Sequence, residues 1–259
     1  MLPATVTIRS HYYSSSGLQP IEAPVSAEYH VGILLNGMPY ISIVCSGSDL
    51  NWLAVGHLAS EGIIRSMDEV ERIEVDEERL TVNLVTAAGV DLSGRTGWVR
   101  TLVSGSPGSG RRSGAGVPPR PDPPAVDPRV ILASMSEFLG LSTTHDQTHG
   151  VHSGALYGLD GKRMAFFDEI GRHNAVDKLI GMALVNRMPL DRCMLFSTGR
   201  VSSEIVLKTV LASVPVLVTR AAPTSMAVEI ARKQNLILLT GVRKDGFYVA
   251  HGADRIILP

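Results

Sequence analysis

Apolar and polar positions alternate along the chain in short runs separated by turn residues. Residues 1 to about 28, with "YYSSSG", show no stable period and read as a segment that either pairs at a sheet edge or stays mobile. "HVGILLNGMPYISIVCS" then sets two apolar runs around Asn36-Gly37, the signal of a two-residue hairpin. A helix is predicted in "SDLNWLAVGHLASEG": Ser48 or Asp49 can cap it, Leu50, Leu53, Ala54, His57 and Leu58 recur at helical spacing, and Gly62 can end it. Ser66 to Glu69 fits a short capping box, and "VERIEVDEERLTVNLVT" fits a second hairpin.

Between Ser104 and Pro128 large apolar residues almost vanish, and Gly, Ser and Pro dominate. Such a stretch cannot offset its ordering entropy by burial. It reads as a flexible loop over residues 104–126, either a plain linker or a functional arm. Asp127-Pro128 opens a helix through "RVILASMSEFLG". "SGALYG" and "KRMAFFDE" form a hairpin joined at Asp160-Gly161. "HNAVDKLIGMALVNRM" follows as a helix, with Val176, Leu179, Ile180, Ala183 and Leu184 on one face. Strands "CMLFS", "PVLVT" and "LILLT" then alternate with helices "SSEIVLKTVLAS" and "TSMAVEIARKQN". That alternation predicts right-handed crossovers and a largely parallel sheet, with "FYVAH" and "RIILP" finishing it or forming a small edge. The fold class is α/β: a C-terminal α/β domain over residues 127–259 and a smaller N-terminal α+β domain over residues 1–103.

Composition narrows the function classes. Hydrophobic residues make up 44% of the 259 and aromatics only 5%, which favours an aliphatic interior over a base-stacking surface. Basic and acidic residues number 24 and 25, so a dedicated nucleic-acid binder is not expected. Two cysteines, Cys45 and Cys193, are too few for a disulfide framework or zinc knuckle, and each lies in an apolar run as a small buried hydrophobe would. No secretory pattern is visible in the first thirty residues, and no apolar run approaches the ~20 residues that span a bilayer. The protein reads as soluble and cytoplasmic, away from membranes.

In such a sheet, ligands bind beyond the carboxyl ends of the strands. The turns there are "DEIGRHNA", "STGRVSSE", "RAAPTSM" and "TGVRKDG", and together they carry Arg172, Arg200, Arg220, Arg243 and Lys244. Cations gathered on one edge repel one another unless an anion lies between them, and guanidinium groups match phosphate oxygens in bidentate geometry. Helix starts near His173, Ser202 and Thr224 add free N–H groups. A phosphorylated ligand is expected. The competing reading pairs these cations with Asp168, Glu169, Asp177, Glu204 and Asp245. Asn174 can cap its helix or meet a base edge. His149 and His152 have a His-x-x-His spacing, but nothing nearby completes a zinc set, so no metal site is expected.

"DEIGRHNAVDKLIG", "STGRVSSEIVLK", "RAAPTSMAVEIA" and "TGVRKDGFYV" resemble the FdhD/NarQ family, the formate dehydrogenase accessory sulfurtransferases. "HVGILLNG" and "DLNWLAVGHLASEGII" look like that family's N-terminal signature, so the resemblance runs over about residues 28 to 252. It implies a cytoplasmic protein that carries sulfur from a cysteine desulfurase to the molybdenum bis(pyranopterin guanine dinucleotide) cofactor, which then enters the formate dehydrogenase apoprotein. It also implies a C-terminal domain similar to cytidine deaminase without the zinc ligands, in keeping with the missing His/Cys/Cys set. The family's cofactor-binding segment matches Val242, Arg243, Lys244, Asp245, Gly246 and Phe247. Arg172, His173 and Asn174 in one turn, and Gly199 and Arg200 in another, are expected as further walls of the nucleotide pocket. Guanosine diphosphate is the expected mimic of the cofactor's tail.

The family's sulfur-carrying loop has a Cys-x-x-Cys flanked by glycines. Aligned on those glycines, "GSPGSG" puts Ser106 and Ser109 at the cysteine positions. Persulfide chemistry needs a thiolate, and a serine hydroxyl at neutral pH does not replace it. The leading expectation is therefore a family member that binds the cofactor, as a chaperone or a degenerate carrier. Transfer through Cys45 requires that thiol to be exposed beside the crevice. A zinc deaminase lacks its ligands, and a pure interaction module would use the N-terminal unit to grip the desulfurase or the apoprotein. A homodimer is the default assembly, because apolar strands in the first unit need cover.

Overall fold

The computed structural model describes residues 2–90, 100–102 and 122–258, and arranges their strands in three sheets. The first is a hairpin of β1 (Thr5–Ser14) and β2 (Gly17–Ser26), paired antiparallel along both strands. This corrects the expectation of a segment without period. Opposed residues share a face, so Val6, Ile8 and Ser10 lie with Val25, Ala23 and Ile21 on one side. Arg9, opposite Glu22, and His11, opposite Pro20, lie on the other. The period of two is real, but polar residues on one face dilute it.

The five-stranded sheet holds β3 (Tyr29–Leu35), β4 (Met38–Cys45), β5 (Val70–Asp76), β6 (Thr81–Thr86) and β7 (Arg100–Leu102) in the order β5-β6-β3-β4-β7. Asn36 and Gly37 both take positive φ, 53° and 77°, as the predicted tight hairpin demands. Asn36 also accepts from the Thr86 N–H at 2.8 Å, which pins the turn to β6. Helix α1 (Leu50–Ser60) follows β4, but Asp49 is left-handed and makes no side-chain cap bond. Ser48 is occupied elsewhere, accepting from Lys178 Nζ at 3.0 Å. The Ser66–Glu69 box serves a single 3₁₀ turn, with Ser66 accepting from the Asp68 N–H.

The second half begins with α2 (Pro128–Leu139), capped by Asp127 as expected. A short polar helix, α3 (Thr143–Thr148), was not predicted because it has no apolar period; Ser142 caps it. Then come β8 (His152–Gly158), β9 (Arg163–Glu169), α4 (Arg172–Val185), β10 (Cys193–Ser197), α5 (Ser203–Leu211), β11 (Val216–Thr219), α6 (Ser225–Lys233), β12 (Ile237–Arg243) and β13 (Gly246–His251). Their order is β13-β12-β11-β10-β8-β9. Only β10–β11 and β11–β12 are parallel, so the sheet is mixed rather than largely parallel. The turns at Asp160-Gly161 and Lys244-Asp245 are too short for a crossover and force antiparallel pairing. "RIILP" adds no strand to this sheet; Ile256 makes one isolated bridge to Val126.

The layers follow from the buried sets. Ile131, Met135 and Phe138 of α2 pack with Tyr157, Phe196, Val218 and Leu239 on one face of the six-stranded sheet. On the other face, α4, α5 and α6 cover Leu156, Leu195, Leu217 and Leu238. Helix α1 covers the five-stranded sheet through Leu50, Leu53, Ala54 and Leu58. It also meets α4 at two glycines: a Cβ on Gly56 would collide with the Asp177 carbonyl, and one on Gly181 with that of Trp52. With α1 on one side and the sheet on the other, Asn174 to Ala183 are all buried, more than the single apolar face predicted.

Candidate functional site

Strands β9 and β10 are both antiparallel to β8, and β10, β11 and β12 are mutually parallel. All four therefore end at the same edge, and the four cation-bearing turns leave it side by side. From β12 to β9 the rim spans four strand spacings, about 19 Å.

Hydrogen bonds stitch the rim into one structure. Arg243 Nη1 donates to the Arg220 carbonyl at 2.7 Å and to its neighbour Val242 at 2.9 Å. Gly241 N–H reaches Ala221 O at 3.0 Å, and Val201 N–H reaches Ala222 O at 3.2 Å. Thr219 Oγ1 donates to Gly199 O at 2.8 Å. Ser153 N–H donates to Thr198 Oγ1 at 2.9 Å, joining the start of β8 to the end of β10. Gly199 lies directly on Arg172: a Cβ there would stand 2.8–3.4 Å from the Cβ, Cγ and Cδ of that arginine.

Four of the five expected acid partners of these cations are engaged elsewhere, and the exposed Asp245 forms no ion pair among the described residues. Asp168 accepts from Ser142 at 2.8 Å and Ser153 at 2.7 Å. Glu169 pairs with Lys178 at 2.6 Å, Asp177 with Lys208 at 2.6 Å, and Glu204 lies 3.3 Å from His173 Nε2. Among the described residues, Arg172, Arg200, Arg220 and Lys244 form no ion pair, and Arg172 Nε is buried without a hydrogen-bond partner. Burial, and then the facing Arg200, disfavour the charge on Arg172, while Glu204 favours it. Burial also pushes His173 down to about 4, helped by Lys208 and Arg172, so its ring is neutral near pH 7. His152 is lowered by burial and by Arg172, His145 and Arg200.

Not every predicted residue reaches the rim with its side chain. Arg200, Arg243, Lys244 and Asp245 are exposed, while Gly246 and Phe247 are half-buried. Val242 is wholly buried and packs in the core. Asn174 neither caps α4, whose N-cap is Gly171, nor points to the rim: it is buried and donates to Val44 O at 2.8 Å. Ser106 and Ser109 lie outside the described residues.

Sequence reasoning missed the buried charges beneath the rim. Glu169 accepts from the Ser46 N–H and Oγ at 3.0 and 2.9 Å, and Lys178 donates to Ser46 and Ser48. Asp177 accepts from Ser60 at 2.7 Å and lies 3.4 Å from His57. Burial would raise the Asp177 carboxyl, but Lys208 and His57 together hold it well below the ordinary carboxylate range. The available signal was the adjacent charged pair Asp177-Lys178 inside an apolar helix, since buried charges must be paired. Both cysteines are buried as expected. Cys45, between the residues held by Asn174 and Glu169, has its thiol pushed up to about 12 by burial and Glu169; burial and Asp191 push Cys193 to about 11. Among the described residues no group of three or more His, Cys, Asp or Glu could hold a metal, and no helix is long and apolar enough to cross a membrane.

The profile of the FdhD/NarQ family matches residues 26–257. A relative from Bacillus subtilis, named sulfur carrier protein FdhD, is 31% identical over 252 residues, covering 94% of each chain. One of the same name from Streptomyces coelicolor is 34% identical over 249 residues, covering 90% of this chain and 88% of the other. A crystal structure of a candidate formate dehydrogenase accessory protein from Desulfotalea psychrophila superposes with a TM-score of 0.82 at 24% identity, covering 98% of this chain and 100% of that one. The mixed α/β fold is thus a known one, and a match running through both large sheets settles the lineage: this chain belongs to the FdhD/NarQ family.

Proposed function

We propose that the protein is a formate dehydrogenase accessory protein that holds the molybdenum bis(pyranopterin guanine dinucleotide) cofactor along the strand-end rim and passes it to the apoprotein. One observation carries the reading: in a chain of this family, separate cation-bearing turns leave one sheet edge with no acid partner among the described residues. The donor set suits such a cargo, because guanidinium groups and free helix-start N–H groups are what a pyrophosphate-linked tail needs. The β8–β9 hairpin followed by helix–strand alternation supports the cytidine-deaminase-like reading of this half.

The relatives are named sulfur carriers. A carrier cysteine must be a thiolate that a sulfane sulfur can reach. Cys45 and Cys193 are the only cysteines of the sequence, are 0% and 1% exposed, and are held protonated. We therefore assign this protein the cofactor-holding part of the family role, with sulfur from a cysteine desulfurase not stored on its own thiols. Two measurements test this. Guanosine diphosphate should raise the melting temperature, and Arg243→Ala, which unties the Val242–Phe247 turn from Arg220, should reduce the rise; equal protection in the variant removes that turn from the site. Incubation with a desulfurase and labelled cysteine should leave no covalent sulfur by mass spectrometry; label on Cys45 restores the transfer reading.

A further inference from the structure

We infer that the rim has a dedicated phosphoryl station at its Arg172–Arg200 corner, beside His152, and that the Arg243 turn is not where the ligand's negative charge rests. The inference rests on the nucleotide reading of the rim and says which part of it takes the phosphates.

Three adjacent strand ends build the corner. His152 opens β8, the strand between β9, which leads to Arg172, and β10, which leads to Arg200. The Thr198–Ser153 bonds, 2.9 Å from Ser153 N–H and 3.0 Å from Thr198 N–H, lock the β10 turn against β8. Glycine at 199 then leaves room for the aliphatic stem of Arg172 to lie across that turn, which fixes where its guanidinium goes.

Among the described residues no carboxylate forms an ion pair with either arginine of the corner. Arg172 Nε is buried with no hydrogen-bond partner among the described residues, a costly state for a charged donor. Arg200 faces it closely enough to disfavour its charge, and both lower His152. Glu204, whose charge favours that of Arg172, is paired with His173 at 3.3 Å. Helix α4 starts here at Gly171 without a capping side chain, as α5 does at Ser202 and α1 at Asp49, whereas Asp127, Ser142 and Thr224 cap α2, α3 and α6. Its first N–H groups therefore remain available to the same anion. Two guanidiniums, an orphaned Nε–H and an uncapped helix start match a tetrahedral oxyanion with several acceptor oxygens. Arg243 differs: its Nη1 is already bonded to two backbone carbonyls, so it braces a turn.

The test uses the full chain with inorganic pyrophosphate and guanosine diphosphate as calorimetric titrants. Pyrophosphate should bind the unaltered protein and compete with the nucleotide. Arg172→Gln and Arg200→Gln should each weaken both ligands about tenfold or more, the scale of one charge-assisted contact. Gly199→Ala, which keeps every charge but displaces the Arg172 stem, should weaken pyrophosphate too, while Arg79→Gln, on the exposed turn between β5 and β6, should leave pyrophosphate unchanged. Unliganded melting temperatures check that each variant is folded, and Arg200, being exposed, is the variant that decides if Arg172→Gln unfolds. Pyrophosphate that fails to bind, or binds Arg200→Gln as well as the parent, overturns the station. Nucleotide binding indifferent to both arginines overturns the station but leaves the nucleotide reading intact. Arginine-dependent pyrophosphate binding without nucleotide binding does the reverse.

Discussion

Asp177→Asn is expected to destabilise the protein more than any other single isosteric change at the junction of α1, α4 and α5. The carboxylate is 1% exposed and accepts from Lys208 at 2.6 and 2.7 Å, from Ser60 at 2.7 Å, and lies 3.4 Å from His57 Nδ1. The amide removes the charge but not the volume, so no cavity enters the result. What remains is the Lys208 ammonium, 8% exposed, without its ion-pair partner. Breaking a buried pair from one side costs about 3–5 kcal/mol, which for a chain of this size is roughly 6–20 °C in melting temperature. Because the folded pKa of Asp177 lies below its unfolded value, its contribution is complete above the ordinary carboxylate pKa of about 4 and is lost as pH falls through the depressed folded value. The deficit of the variant should therefore be flat from about pH 5 to 8 and shrink only in strong acid. Urea unfolding across that range measures it. Adding Lys208→Met should recover part of the loss by removing the stranded charge. A single-variant loss under about 1 kcal/mol, the range of an exposed pair, or a double variant no better than the single one, refutes the reasoning.

Three further outcomes are expected. Gly56→Ala should cost about 1–3 kcal/mol, because a methyl group there must push α1 off the Asp177 carbonyl; a neutral effect in urea unfolding means the helices do not meet as described. In native protein at pH 8, Cys45 and Cys193 should resist a thiol reagent and react only in denaturant, since a thiol at about 12 is roughly one part in ten thousand thiolate; prompt labelling of Cys45 contradicts its burial. Gly37→Ala, at φ 77°, should lose about 1 kcal/mol, whereas Gly246→Ala, with open space around it and ordinary φ, should change stability by less than about 0.5 kcal/mol.

Local chemistry was legible where it acts over a few residues. Asn36-Gly37, Asp127-Pro128 and Asp160-Gly161 each specify a turn or a cap through their own backbone preferences, and each appears where the sequence puts it. So do the two cysteines, because an apolar run buries whatever small side chain it contains. The alternation of β10 to β12 with α5 and α6 likewise implies that their turns share an edge, which is why the cation-bearing rim could be named residue by residue. The first hairpin was not legible, since one of its faces is polar and a two-stranded ribbon lacks a continuous buried side.

What only the tertiary structure decided depends on which groups, far apart in the chain, share one dry volume. Asp177 and Glu169 looked equally able to pair with an arginine, and the layering of α1 against α4 gave them to Lys208 and Lys178 instead. That left Arg172 and Arg200 without an ion pair among the described residues, and it drew Asn174 away from the rim toward Val44. Sequence determined the elements, the turns and the edge at which the cations stand, because those follow from steric and hydrophobic periods within short segments. The choice of partners followed from packing, because a charge removed from water must be met by whichever opposite group the fold brings within reach.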